Sequence, residues 1–239
     1  MKVAIISDIH ANLEAFQTVL TYLQAENISE IICLGDIIGY GPRPNECVGL
    51  VQTHCQTCLM GNHEHGVLGL TDVHYFNQYA QDALLWTRRH LFQYHKAYLE
   101  NLPYSFAAGD ALFVHSTPLQ PEEWHYIFTA EEARQNLQRI AHRLVFVGHS
   151  HIPMIFSYRS GAIGTGRVQL NLEEDRYIVN VGSVGQPRDG NTRACFVIFD
   201  RDAHALEYIR LEYPVEKTHR EILENHLPPF LAMRLLTGQ

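Results

Sequence analysis

Five times along this chain a short apolar run stops at a cluster of small, chemically active residues. Val3-Ala4-Ile5-Ile6 ends at Ser7-Asp8-Ile9-His10, and Ile31 to Leu34 at Gly35-Asp36. Gln56 to Met60 ends at Gly61-Asn62-His63-Glu64, Ala111 to Val114 at His115-Ser116, and Leu144 to Val147 at Gly148-His149-Ser150-His151. Apolar, β-branched runs bounded by such residues read as buried strands. Ligands of open α/β sheets gather at the carboxyl ends of strands, so strands laid side by side would carry all five clusters to one crevice.

The intervening segments favour that arrangement. Asn12 to Ala25 has helical spacing, with Leu13, Phe16, Val19 and Leu23 on one face. Strands over Lys2–Ser7, Glu30–Leu34 and Gln56–Met60, alternating with helices over 12–25 and 45–53, predict one sheet with crossover helices. Asp72 to Glu100 reads as two helices, and Ala130 to His142 as another. Ile155–Tyr158, Val168–Leu172, Tyr177–Val181, Ala194–Phe199 and Leu206–Leu211 then follow as strands without helices between them. Val215 to Leu236 is helical, broken at Pro228-Pro229. The expected architecture is an α/β, αββα sandwich of two facing mixed sheets flanked by helices. With no repeat or linker in 239 residues, a single domain over 1–239 is expected.

Composition narrows the function classes. Hydrophobic residues at 46% exclude a disordered chain, and charged residues at 18% imply extensive burial. The net charge of −8 and the lack of any basic run argue against nucleic-acid binding. The longest apolar run, Ala194 to Phe199, is far short of the roughly 20 residues that span a bilayer. Val3 to Ile6 is likewise too short for a secretory core, so a cytoplasmic location without membrane contact is expected. Cys55 and Cys58 form a CxxC pair, but with no second pair, buried thiols are the plainer reading than zinc or redox chemistry.

The clusters contain two Asp, one Asn and four His besides His63. In Asp8-x-His10 and His149-x-His151 the alternate spacing aims both side chains one way if the backbone is extended. Mixed imidazole and carboxylate donors favour Mn, Fe, Zn or a similar transition metal. Seven donors exceed one tetrahedral ion but suit two ions sharing a carboxylate, an arrangement used to hydrolyse phosphate esters.

The ordered set Asp-x-His, Gly-Asp, Gly-Asn-His-Glu, a lone His and Gly-His-x-His resembles the calcineurin-like metallophosphoesterase family. Asn180 to Gly190, NVGSVGQPRDG, is similar to its bacterial branch of small phosphoesterases. The resemblance implies a binuclear centre. Asp8, His10, Asp36 and His151 would hold one ion, and Asp36, Asn62, His115 and His149 the other, with a bridging hydroxide attacking phosphorus. It also implies His63 as general acid at the leaving oxygen, with Glu64 orienting or charging its ring. The protein-phosphatase motif Gly-Asp-x-x-Asp-Arg-Gly is missing: residues 35–41 read GDIIGYG, and Arg43 would substitute only if the loop bends. The first expectation is therefore a phosphodiesterase or nucleotide polyphosphate hydrolase acting on small phosphorylated molecules. The alternative is a phosphomonoesterase, including a serine/threonine phosphoprotein phosphatase, which Glu64 favours. A non-catalytic scaffold of the same fold is disfavoured because every ligand is present.

Two further segments have double readings. In Gly182 to Gly190, Arg188 either meets a substrate phosphate or forms a solvated pair with Asp189 in a tight strand connection, and the second is favoured slightly. Trp124, His125 and Tyr126 either stack on a nucleobase or close over the edge of the core, and the second is again favoured. The oligomeric state is not legible.

Overall fold

In a computed structural model, which describes residues 1–239, the chain forms twelve strands and eight α-helices. The strands are β1 Lys2–Ile6, β2 Ile31–Cys33, β3 Thr57–Cys58, β4 Ser105–Ala108, β5 Ala111–Val114, β6 Leu144–Val147, β7 Met154–Ser157, β8 Gly161–Gly164, β9 Arg167–Gln169, β10 Tyr177–Asn180, β11 Ala194–Asp200 and β12 Ala205–Leu211. The helices are α1 Leu13–Ala25, α2 Pro44–His54, α3 Asn62–Leu68, α4 Gln78–His90, α5 Gln93–Leu99, α6 Ala130–Gln138, α7 Val215–Glu224 and α8 Pro229–Leu235.

The strands make two six-stranded sheets, ordered β3-β2-β1-β11-β12-β9 and β4-β5-β6-β10-β7-β8. β1, β2 and β3 run parallel, as do β5, β6 and β10, while the remaining pairings are antiparallel. Central strands are apolar on both faces because each face has its own partner. Val3 and Ile5 of β1 meet Phe146 and Val179 of the second sheet, and Ala4 and Ile6 point the other way, toward Phe16 and Val19 of α1. The outer face of the second sheet packs Val145 and Ile178 on Ala133 and Leu137 of α6. This is the expected αββα sandwich.

The boundary between an α/β half and an all-β half does not survive as a boundary between sheets. β11 and β12 complete the sheet begun by β1, and β10 pairs with β6. β4 and β8 lie at the sheet edge, where burial is incomplete and their Ala and Gly residues give little apolar signal. α3 starts inside a cluster that read as loop. A helix can begin there because Glu64 returns to the backbone N–H of Gly61. All five cysteines are free thiols, and no helix is long and apolar enough to cross a membrane.

Candidate active site

Each of the five clusters leaves the carboxyl end of a strand from a parallel set, on β1, β2, β3, β5 and β6. The topology thus delivers them to one end of the sandwich. Asp8, His10, Asp36 and His151 place one potential ligand atom each within 4.8 Å of one another, and Asp36, His115 and His149 do the same. Asp36 belongs to both groups. Its Oδ2 lies 3.6 Å from His10 Nε2 and 3.3 Å from His115 Nε2. Asn62 joins the second group, with Oδ1 3.2 Å from His115 Nε2. All seven residues are buried.

Hydrogen bonds to the backbone fix which atom these residues present. Asp8 gives Oδ2 to the backbone N–H of His149 at 3.0 Å, and Asp36 gives Oδ1 to that of His63 at 2.9 Å. One oxygen of each carboxylate therefore stays turned inward. His10 Nδ1 bonds the Ile38 carbonyl at 3.1 Å, His151 Nδ1 that of Gln186 at 2.5 Å, and His149 Nε2 that of Trp124 at 2.9 Å. A ring nitrogen donating to a carbonyl leaves the other free to ligate, the usual outer support of a metal-bound histidine.

The backbone is not extended at the Asp-x-His and His-x-His pairs. Asp8, His10, Asp36, His149 and His151 all have positive φ, from 48° to 65°. Convergence comes from these left-handed residues rather than from strand alternation. Glycines packed against the clusters make room for it. A Cβ on Gly61 would stand 2.2 Å from Asp36 Oδ1, and one on Gly148 2.1 Å from Ser7 Oγ.

Metal ions fit this donor set on the structure's own terms. His10 Nε2 and His151 Nε2 face each other at 3.1 Å, and buried Asp8 Oδ1 has no hydrogen-bond partner. Burial would raise the Asp8 and Asp36 carboxyls, but the imidazoles of His151 and His115 beside them overcome it and hold both below the usual range. Burial likewise opposes protonation of His115, yet the Asp36 carboxylate lifts it to about 9. Burial dominates at His63 and His149, which fall to about 4 and about 3.

His63 stands over the cluster, its ring 4.7 Å from that of His10 and 4.4 Å from that of Tyr40, with a buried Nδ1 that has no partner. Glu64 does not touch it, which corrects the expected orienting role. The Glu64 carboxylate instead accepts backbone N–H bonds from Asp36 at 2.8 Å, Gly61 at 3.0 Å and Ile38 at 3.1 Å. Burial and the Asp36 charge push its carboxyl up to about 7, against those donors. Glu64, in α3's first turn, thus braces the loop that carries Asp36.

A cavity of about 540 Å³ opens over Asp36, Asn62, His63, His149 and His151, walled by Tyr40, Tyr75, Phe76, Trp124, Tyr126 and Arg188. Arg43 is not there, a second correction. Its guanidinium forks onto Glu221 of α7 at 2.9 Å through both Nε and Nη2, so the loop does not bend it inward. Arg188 does reach the cavity. It makes no pair with Asp189, which binds Arg210 instead. Trp124 packs its ring 5.4 Å from that of His65 and lines the cavity. Tyr40 was not singled out as a site residue by sequence, whereas Tyr126 was read beside Trp124. Tyr126 stacks on His149 at 4.0 Å, and the left-handed Tyr40 carries no local signal of its position.

An αββα sandwich with two overlapping buried ligand groups at its strand ends defines a metallophosphoesterase. The chain belongs to the calcineurin-like phosphoesterase superfamily, whose domain profile matches residues 1–204. It is 39% identical over 242 residues to an uncharacterised protein of Methanocaldococcus jannaschii, across 99% of this chain and 98% of that one. The crystal structure of a metallophosphoesterase from Sphaerobacter thermophilus is also 39% identical, with a TM-score of 0.89 over 100% of this chain and 99% of that one. A hypothetical protein from Pyrococcus horikoshii shares the fold at 18% identity, with a TM-score of 0.79 over 100% and 98%.

Proposed function

We propose that the protein is a binuclear phosphoesterase that hydrolyses phosphodiesters or nucleotide polyphosphates of small molecules. The observation that carries this reading is Asp36, one carboxylate shared by two ligand groups. Asp8, His10, Asp36 and His151 would hold one ion, and Asp36, Asn62, His115 and His149 the second. Mn, Fe and Zn suit these donors. When bound, the ions supply positive charge to the phosphoryl oxygens and lower the pKa of water toward neutrality.

The chain's own residues do the rest. His63 faces the cavity from above the cluster, where it protonates the departing oxygen. Its low pKa rises when an anionic phosphate lies beside it, because a nearby negative charge favours the protonated ring. Arg188 meets phosphate oxygens from the wall, and Trp124 and Tyr126 offer flat apolar faces to an organic group. The small-molecule reading rests on the cavity, whose aromatic walls suit a compact, partly aromatic ester better than an extended peptide.

The test compares bis-p-nitrophenyl phosphate, p-nitrophenyl phosphate, a dinucleoside polyphosphate and a phosphopeptide on one Mn²⁺-loaded sample. Higher kcat/KM on the diester or the polyphosphate is expected. Strong preference for the monoester and phosphopeptide would overturn the substrate assignment.

A further inference from the structure

Nothing polar holds the His63 ring by its buried Nδ1. Three rings hold it instead. The centre of the Tyr40 ring lies 4.4 Å away and tilted, that of His10 4.7 Å and edge-on, and that of Phe76 5.7 Å and edge-on. Gly39 closes the Nδ1 side, since a Cβ there would stand 2.1 Å from that nitrogen. Arg188, on the wall of the same cavity, is held almost as lightly. Its Nη2 donates to the amide oxygen of Gln186 at 2.9 Å, its buried Nε has no partner, and Asp189 is taken by Arg210. Its remaining support is Tyr40, over whose ring the guanidinium carbon sits 5.8 Å from the centre.

Both groups therefore lean on one side chain, and the backbone is strained to place it. Tyr40 has φ +61°, a left-handed conformation that an aromatic residue rarely adopts and that persists only where the surroundings over-determine it. Gly39 precedes it at φ +83°. Gly41 follows, its N–H on the His10 carbonyl at 3.0 Å, where a Cβ would stand 2.2 Å from that oxygen. Behind the ring, Tyr40 shares an apolar cluster with Ala83 of α4, Ile222 of α7 and Leu231 and Leu235 of α8. α7 and α8 lie beyond the matched residues 1–204, so this chain's C-terminal helices complete the support. A flat ring suits both of its charges. It packs beside an imidazole without competing for its nitrogens, and its π face attracts a guanidinium within about 6 Å.

We infer that Tyr40 is a positioning residue of the site, its ring orienting His63 toward the leaving oxygen and seating Arg188 for the phosphate oxygens. This rests on the phosphoesterase reading above. Protonation of the leaving group and binding of the phosphate are thereby coupled through a residue that performs neither.

The experiment uses the full-length, Mn²⁺-loaded protein with Tyr40→Phe, which keeps the ring, and Tyr40→Leu, which keeps only an apolar side chain. Tyr40→Leu is expected to weaken binding of inorganic phosphate, measured by calorimetry, about fivefold. It is also expected to lower kcat on an alkyl phosphate ester about tenfold more than on a p-nitrophenyl ester. Phe should restore both. In an Arg188→Met background Tyr40→Leu should weaken phosphate binding no further, and in a His63→Ala background it should add no further leaving-group dependence. Equal losses on the two esters, additive losses in the double variants, or a Phe variant as impaired as Leu would each overturn the inference. Should Tyr40→Leu not fold, Leu231→Ala loosens the ring from behind, and the same preferential loss on the alkyl ester is expected; equal losses there would count against Tyr40 in the same way. Failure of the phosphoesterase reading shows separately, as no turnover of either ester by the wild type.

Discussion

Replacing Glu64 by Gln separates two accounts of the residue that follows His63. The carboxylate accepts three backbone N–H groups, two on Oε2 from Asp36 and Gly61 and one on Oε1 from Ile38. Gln has one acceptor oxygen and one NH₂ group at these positions. With its oxygen toward Asp36 and Gly61, its NH₂ confronts the Ile38 N–H, leaving two buried donors unsatisfied. At about 1–3 kcal/mol for each such group, the variant should lose about 2–6 kcal/mol. For a domain of this size that is a melting point lower by roughly 5–25 °C. The loop carrying Asp36 loosens, so turnover should fall by a similar factor on activated aryl esters and on alkyl esters. The assay is a thermal melt of Mn²⁺-loaded wild type and variant, with kinetics on both ester types. An unchanged melting point with losses confined to poor leaving groups would show Glu64 acting through His63, and the bracing account would be wrong.

Asp36→Asn should reduce turnover by orders of magnitude with a wild-type circular dichroism spectrum, and near-normal rates would remove its bridging role. His63→Ala should cost more on esters with poor leaving groups than on aryl esters, and equal losses would remove the acid role. Chelation should lower the melting point, and re-adding Mn²⁺ should restore it in proportion to the logarithm of free metal; a melt indifferent to metal would contradict the site. In chelated protein, stability should fall steeply with acid. Burial holds His10, His63, His149 and His151 below 6.5, so their contribution is present above pH 6.5 and lost as pH drops toward the folded values, about 4 for His63 and about 3 for His149. Glu64, raised to about 7, opposes them between pH 7 and 4.5. His115, raised to about 9 by Asp36, stabilises below 6.5 and loses that contribution as pH rises through 9. Each net proton is worth about 1.4 kcal/mol per pH unit, so a urea midpoint unchanged from pH 7 to 5 would refute the balance.

What the sequence showed of the fold came from local periodicity with a tertiary reason behind it. β1, α1, β2, α2 and β3 were legible because each is apolar on the face or faces that meet a neighbour. β4 and β8 were not, because edge strands of Ala and Gly bury too little to leave a pattern. All seven candidate ligand positions are visible as clusters ending apolar runs, although the backbone geometry assumed for two pairs was wrong. Residues whose role depends on a distant partner could not be read. Arg43 is claimed by Glu221, 178 positions away, and Glu64 by N–H groups 26 and 28 positions back. Arg188 sits between these cases: its loop was noticed, but only β10 running parallel to β6 turns that loop toward the site.

The left-handed ligands explain why the surroundings are so heavily bonded. A non-glycine residue held at positive φ costs about 1–3 kcal/mol, so five of them cost on the order of 5–15 kcal/mol, as much as the whole net stability of an ordinary domain. Such strain persists only where neighbours over-determine it. Asp8 N–H donates to the Gly35 carbonyl at 3.0 Å, His10 N–H to that of Asp36 at 2.9 Å, and Ala11 N–H to that of Ile37 at 2.7 Å, stitching the first ligand loop to the second. The Asp8 carbonyl then receives Gly185 N–H at 2.9 Å and Ser183 Oγ at 2.8 Å from the loop after β10. Those bonds join β1 and β2 of one sheet to β10 of the other at the point where the ligands converge. The interlocked loops hold seven donors in place, and burial keeps the imidazoles His10, His63, His149 and His151 from taking up protons. The stability spent on strained backbone is therefore returned as a ligand cage whose geometry is set by the polypeptide.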